Sequence, residues 1–119
     1  MRNKTIVVIE DDVDVLETVT NILSESYVVK SFKDCPDIFG IIDTHKPDLI
    51  LLDLLLEKED GREICKAIKA NDATSGISVI IMSGAQDIYN VISEGGANDV
   101  IKKPFTKDIL LSRVERQLR

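Results

Sequence analysis

The chain has 119 residues, the size of one ordinary domain, and 15 basic against 21 acidic side chains give it a formal net charge of −6 at pH 7. This balance argues against a broad electrostatic grip on nucleic acid or an anionic membrane, and a hydrophobic content of 44% excludes a disordered chain. No apolar run approaches the roughly 18 residues of a membrane span, and the two cysteines lack disulfide-framework or CxxC spacing. We therefore expect one cytoplasmic domain over 1–119, without membrane or direct nucleic-acid contact.

The predicted elements alternate between strand and helix along the whole chain. Continuous apolar runs, several of them β-branched, are typical of strands buried on both faces, and apolar residues at helical spacing predict the helices. In chain order the runs and helical faces lie at 5–9, 13–26, 27–29, 36–43, 49–52, 64–68, 77–82, 88–92, 100–101 and 110–118. Five strands alternating with five helices through short loops predict right-handed βαβ units. The fold class is α/β, a (βα)5 doubly wound five-stranded parallel sheet with helices on both faces.

Polar residues follow four of the five predicted strands, at the edge where ligands bind in open α/β sheets. In chain order they are Glu10, Asp11 and Asp12, then Asp53, then Ser83 and Gly84, then Lys103 and Pro104. Carboxylates held near 4 Å repel by roughly 4 kcal/mol per pair at an effective dielectric of about 20, so such a cluster favours a cation. Oxygen ligands without histidine or cysteine favour Mg²⁺. These residues describe a site where Asp53 is the nucleophile toward a phosphoryl group, while the metal and Lys103 neutralise the developing charge.

Four motifs stand at these predicted strand ends. They read IVVIEDD at 6–12, LILLDLLLEKEDG at 49–61, VIIMSGA at 79–85 and IKKPF at 101–105. With them, the whole chain resembles a bacterial two-component response-regulator receiver domain of the chemotaxis-receiver type. The resemblance implies a flavodoxin-like strand order 2-1-3-4-5 and a phosphoryl group delivered to Asp53 by a sensor histidine kinase or phosphotransfer protein. It also implies a monomer, or a weak dimer through helices four and five, with an output partner that the sequence leaves unknown.

The resemblance also implies a role for each strand-end residue. The Mg²⁺ ligands would be Asp11 and Asp53 directly, Glu10 through water, and the backbone carbonyl of Leu55. The phosphoryl-binding and switch residues would be Ser83, Gly84 and Lys103. The bond from Lys103 to Pro104 is expected to be cis, an isomer that only about 5–6% of X-Pro bonds in folded proteins adopt.

The three consecutive acids leave two possible metal-binding pairs, Glu10 with Asp11 or Asp11 with Asp12. The apolar run closes at Ile9, and the following helix needs an acid near its start. Both points favour the first pair, with Asp12 complementing the helix dipole.

Two positions depart from the family pattern. Many receivers carry proline four residues after the phospho-accepting aspartate, where this chain has Glu57, a change expected to alter loop stiffness. The family usually has tyrosine or phenylalanine three residues before the lysine, where this chain has Val100. One interpretation is that signalling runs through the Ser83 loop and helix four without an aromatic ring as reporter. The other is that Val100 merely extends an apolar strand.

These departures keep a second hypothesis open, a non-phosphorylated pseudo-receiver that acts as a protein-interaction module. A small Mg²⁺-dependent phosphatase is disfavoured, because no aspartate lies two residues beyond Asp53 to serve as general acid. Other polar residues are expected to be ordinary surface. His45, the single histidine, is predicted in an exposed loop, and Arg113 is predicted on a solvated basic face of the last helix.

Overall fold

A five-stranded parallel sheet lies between two layers of helices in the computed structural model, which describes residues 3–84 and 95–119. The strands are β1 (Thr5–Ile9), β2 (Val28–Phe32), β3 (Leu49–Asp53), β4 (Ser78–Ser83) and β5 (Asp99–Lys102). The helices described are α1 (Val13–Leu23), α2 (Ile38–His45), α3 (Gly61–Ala70) and a C-terminal helix (Lys107–Leu118). The strand order β2-β1-β3-β4-β5 confirms the predicted fold class. The helix predicted at 88–92 lies outside the described residues.

Each described helix begins behind a side chain that caps its first turn. The carboxylate of Asp12 accepts two backbone N–H groups of α1, at 3.0 and 3.2 Å, and that of Asp60 accepts one of α3 at 2.8 Å. Asp37 and Thr106 cap α2 and the C-terminal helix in the same way. Such a cap satisfies an N–H group that has no helical acceptor and contributes about 1 kcal/mol. The caps at Asp12 and Asp60 start α1 and α3 close to the carboxyl ends of β1 and β3.

The central strands are buried on both faces and carry two separate cores. β1 and β3 are buried at every position. Alternate side chains enter opposite cores: one core joins the sheet to α2 and α3, and the other joins it to α1 and the C-terminal helix. Each fully buried aliphatic side chain stabilises the fold by roughly 1.5–3 kcal/mol. The carboxyl ends of β1 and β3 are thus held by well-packed strands. Among the helices described, none is long and apolar enough to cross a bilayer.

The structure corrects the prediction at the edge strand and at His45. β2 was predicted at 27–29, but it runs from Val28 to Phe32 and includes Lys30 and Ser31. An apolar pattern does not include these polar residues, because β2 is the edge strand beside β1 and its side chains are largely exposed. His45 is not in a loop: it ends α2, with its ring centroid 5.5 Å from that of Phe32.

Arg113 also differs from its predicted place on a solvated face. It donates to the carboxylate of Asp99 at 2.8 Å and to the carbonyl of Val100 at 3.0 Å. Asp99 is buried at the start of β5, and a buried carboxylate without a partner is costly. The ion pair therefore draws Arg113 inward and fixes the C-terminal helix against β5.

Both cysteines are buried thiols outside any disulfide. Burial raises the pKa of the Cys35 thiol to about 12, and the nearby carboxylates of Glu59, Asp37 and Asp34 add to the shift. Burial also raises the pKa of Cys65. Because the thiolate is the reactive form, we expect the native chain to react with a thiol reagent at mildly alkaline pH far more slowly than the unfolded chain. Mass spectrometry of labelled protein, with and without guanidinium, checks this, and rapid labelling of either native thiol would contradict it.

Candidate functional site

Three carboxylates meet at the carboxyl edge of the sheet. Glu10, Asp11 and Asp53 each offer an oxygen, and these three oxygens lie within 4.8 Å of one another. The register of β1 against β3 pairs Ile9 with Leu52, so that the next residues, Glu10 and Asp53, emerge side by side. All three donors are hard oxygen atoms, which suit Mg²⁺ better than a softer transition metal.

Lys103 neutralises part of this cluster. Its ammonium group donates to Glu10 Oε2 at 2.7 Å and lies 3.4 Å from Asp53 Oδ1. The residue directly follows β5, and its backbone N–H donates to the carbonyl of Ser83 at 2.8 Å, which fixes the base of the side chain. The Lys103–Pro104 peptide bond is cis. One cation thus contacts carboxylates from the ends of two other strands.

Glu10 is the most deeply buried acid of the cluster, with 0% of its surface exposed. Burial raises its pKa to about 7, although hydrogen bonds from Lys103 and from the backbone N–H of Asp12 act in the opposite direction. Burial alone would lower the pKa of Lys103, but its hydrogen bond to Glu10 and the charge of Asp53 outweigh this and raise it. Lys103 is therefore positively charged throughout the neutral range.

Asp11 and Asp12 have different surroundings. Asp12 caps α1 through Oδ1, whereas Asp11 belongs to the acidic cluster and accepts the backbone N–H of Glu57 on Oδ2 at 2.9 Å. The geometry thus favours the pair Glu10 and Asp11. Sequence reasoning missed the Glu57 contact, which joins positions 46 residues apart. A backbone amide carries no residue-type signal, so only the path of the loop after β3 reveals it.

The remaining predicted residues lie at the same edge or in the strand behind it. Ser83 is buried at the end of β4, and Gly84 follows it as an exposed residue. Leu55, two residues beyond Asp53, is 66% exposed. Val100 is buried in the core that joins the sheet to α2 and α3. The structure thus places all of these residues, while their functional roles stay predictions.

Fold and site together define a class, the doubly wound α/β domains that carry an acidic cluster and a lysine at the carboxyl edge of the sheet. The family model for the response regulator receiver domain matches residues 6–115, and the chain belongs to this family. It is a receiver domain of two-component response regulators, a class that signals by phosphorylation. Receiver domains generally bind Mg²⁺ at an acidic pocket, to which the cluster of Glu10, Asp11 and Asp53 corresponds.

Curated relatives extend beyond the matched region. The chain is 32% identical over 122 residues to the DNA-binding response regulator MtrA of Mycobacterium tuberculosis. This alignment covers 100% of this chain and 52% of MtrA. It is 31% identical to the phosphate regulon transcriptional regulatory protein PhoB of Pseudomonas aeruginosa. That alignment covers 100% of this chain and 53% of PhoB. The chain therefore spans about half the length of these relatives.

Solved structures agree with the family. The BeF3-activated receiver domain of DrrB, an OmpR/PhoB homologue of Thermotoga maritima, superposes with a TM-score of 0.85 at 32% identity and covers 98% of both chains. The chemotaxis response regulator CheY4 of Vibrio cholerae superposes with a TM-score of 0.88 at 18% identity, covering 98% of this chain and 99% of its own. The second match shows the shared fold alone.

Proposed function

We propose that Asp53 accepts a phosphoryl group from the phosphohistidine of a sensor histidine kinase or phosphotransfer protein, in a reaction that requires Mg²⁺. The observation that carries the proposal is the set of contacts at the end of β3. Asp53 is 5% exposed, clusters with two other carboxylates within 4.8 Å, and lies 3.4 Å from the ammonium group of Lys103. A nucleophile, a cation site and a fixed positive charge therefore share one small volume.

The donor set fits Mg²⁺. Asp11 and Asp53 would hold the ion directly, and the backbone carbonyl of Leu55 would complete the protein ligands. Both oxygens of Glu10 already accept hydrogen bonds, from Lys103 and from the backbone N–H of Asp12, so Glu10 would act through water. When bound, Mg²⁺ supplies positive charge beside the phosphoryl oxygens.

Asp53 would act as the nucleophile. One of its carboxylate oxygens forms a bond to phosphorus while the P–N bond to the donor imidazole breaks. The imidazole leaves with the electron pair of that bond and takes up a proton. Lys103 is placed to donate to a phosphoryl oxygen and to stabilise the negative charge of the transition state. After transfer, the hydroxyl of Ser83 and the backbone at Gly84 are assigned contact with the phosphoryl group.

The proposed signal is a change of charge at the sheet edge. Glu10, Asp11 and Asp53 contribute −3 and Lys103 contributes +1, which gives −2 when all are ionised. One Mg²⁺ ion brings the site to zero, and a phosphoryl group adds about −1.5 to −2, the charge of a phosphoserine. Because Val100 supplies no ring, we assign the response to the end of β4, at Ser83.

The output belongs to a partner or to a further region of a longer protein. MtrA is named a DNA-binding regulator, but we assign no nucleic-acid contact to this domain, whose net charge is −6. The domain is proposed to work in the cytoplasm, in keeping with its two free thiols, as a monomer or weak dimer. Its catalysis is limited to its own phosphorylation and dephosphorylation.

Asp53→Asn is expected to abolish uptake of a phosphoryl group, because the amide oxygen is a much weaker nucleophile than a carboxylate. The chain is incubated with phosphoramidate and Mg²⁺, and intact-mass spectrometry counts the groups added. The unsubstituted chain should gain one group, and chelation of Mg²⁺ should prevent this.

Asp12→Asn is the matched control, since it alters a neighbouring exposed acid and keeps a residue that caps helices well. It should be phosphorylated like the unsubstituted chain. Uptake by Asp53→Asn would refute Asp53 as the acceptor. An unsubstituted chain that binds Mg²⁺ but takes up no phosphoryl group would instead support the pseudo-receiver hypothesis, which the departures at Glu57 and Val100 motivate.

A further inference from the structure

We infer that the backbone amide of Glu57 is a positioning group of the cation site, which holds Asp11 and the loop after β3 ready for Mg²⁺. The inference rests on the proposed function, because it concerns the same cation. It adds a group from outside the acidic cluster, the backbone N–H of Glu57, and this residue acts through its backbone and not through its side chain.

The contact itself is short and has a charged acceptor. The N–H of Glu57 donates to Asp11 Oδ2 at 2.9 Å, and hydrogen bonds to an ionised carboxylate are stronger than neutral ones. A carboxylate held through one oxygen cannot rotate freely, so its other oxygen, Oδ1, keeps a fixed direction. Asp11 thus loses less orientational freedom when it binds a cation. Hydrogen-bonded partners of metal ligands commonly change metal affinity by about 10–100-fold.

The same bond closes the loop over the site. At the base of the loop, the N–H of Leu54 donates to the carbonyl of Met82 at 2.9 Å and its carbonyl accepts the N–H of Gly61 at 2.8 Å. Next along the loop, Leu55 and Asp60 form an isolated antiparallel β-bridge. Among the described hydrogen bonds, the one from Glu57 is the contact between the tip of the loop and Asp11. Leu55, whose carbonyl is the expected third direct protein ligand, is only two residues away, or at most about 7 Å of chain.

The side chain of Glu57 offers a competing explanation that has to be separated from the amide. A cleft of about 270 Å³ opens beside Asp11, and Asp34, Glu57 and Glu59 lie among its lining residues. Acidic walls raise the local concentration of a cation whatever the backbone does. The distinguishing chemistry is that proline lacks an N–H, whereas alanine keeps it.

The test compares Glu57→Pro with Glu57→Ala. Both remove the carboxylate, and only the first removes the amide donor. Titration of each ¹⁵N-labelled chain with MgCl₂, followed by ¹H–¹⁵N NMR, gives the Kd for Mg²⁺. We expect Glu57→Pro to weaken binding about 10-fold or more. Glu57→Ala should stay within about threefold, since an exposed charge contributes little in salt. Equal weakening by both variants, or no weakening by the proline, would overturn the inference.

A second measurement does not depend on the proline variant folding. In the metal-free chain, the Glu57 amide proton should resonate downfield, and Asp11→Ala should move it upfield while the Lys58 and Glu59 amides change little. An unmoved Glu57 resonance would overturn the inference. Failure of the proposed function looks different: an unsubstituted chain that shows no Mg²⁺ binding removes the cation site and this inference with it. An unsubstituted chain that binds Mg²⁺ beside a proline variant of equal affinity removes the inference alone.

Discussion

Lys103→Ala is expected to slow phosphoryl transfer from phosphoramidate to Asp53 by about 10²–10³-fold, the effect of removing one preorganised electrostatic donor from an active site. The ammonium group lies 3.4 Å from Asp53 Oδ1 and is held by a 2.7 Å bond to Glu10, so it needs little rearrangement to meet a phosphoryl oxygen. Its raised pKa keeps it charged through the neutral range. The rate of mass gain in Mg²⁺, at saturating donor, measures the effect.

A measurement of Mg²⁺ affinity distinguishes the electrostatic role of Lys103 toward the phosphoryl group from an indirect effect through weaker metal binding. Without Lys103 the site loses one positive charge that repels a cation, so Mg²⁺ should bind as well as before or more tightly. Lys102→Ala is the matched control, because Lys102 is the exposed last residue of β5 and should leave the rate within about twofold. A rate that falls in proportion to Mg²⁺ affinity, or that is unchanged in Lys103→Ala, would contradict the assigned role.

The general position of the site could be predicted because it follows from strand ends. Continuous apolar runs locate β1 and β3, and a parallel sheet places the residues after them on one edge. Glu10 and Asp53 therefore had to be near each other, once the two strands were neighbours. The predicted order 2-1-3-4-5 rested on the family resemblance rather than on apolar patterning, which does not encode which strands pair.

Individual polar contacts, in the site and elsewhere, could not be predicted from the sequence, because they depend on side-chain reach and loop path. The direct 2.7 Å bond from Lys103 to Glu10 joins positions 93 residues apart. The Glu57 amide bond to Asp11 depends on a backbone atom that every residue except proline has. Arg113 was placed on a solvated face because helical periodicity cannot show that buried Asp99 would meet it. In each case a buried or clustered charge pairs with a group on another element or loop of the fold.

Gly61→Ala is expected to destabilise the domain and to disturb the phosphoryl site together. A Cβ at position 61 would overlap the carbonyl oxygen of Asp53 and lie 2.9 Å from Cα of Leu54. Both are backbone atoms, so no side-chain rotation relieves the overlap, and α3 has to move away from the end of β3. Overpacking costs about 1–3 kcal/mol or more, which exceeds the gain of about 1 kcal/mol from replacing glycine in a helix. The midpoint temperature of thermal unfolding should fall by several °C, at about 4 °C per kcal/mol of lost stability.

The same displacement should reach the chemistry, since the clashing oxygen belongs to Asp53 itself. A shift of about 1 Å in a reacting group can lower a rate about 10²-fold, so phosphorylation at a temperature where the variant is folded should slow markedly. Gly76→Ala is the control, because a Cβ there meets nothing within 4 Å. That variant should be unchanged or more stable by less than about 1 kcal/mol. A Gly61→Ala chain that is destabilised but still phosphorylated at the normal rate would show that α3 moves without Asp53, and that the glycine serves packing alone.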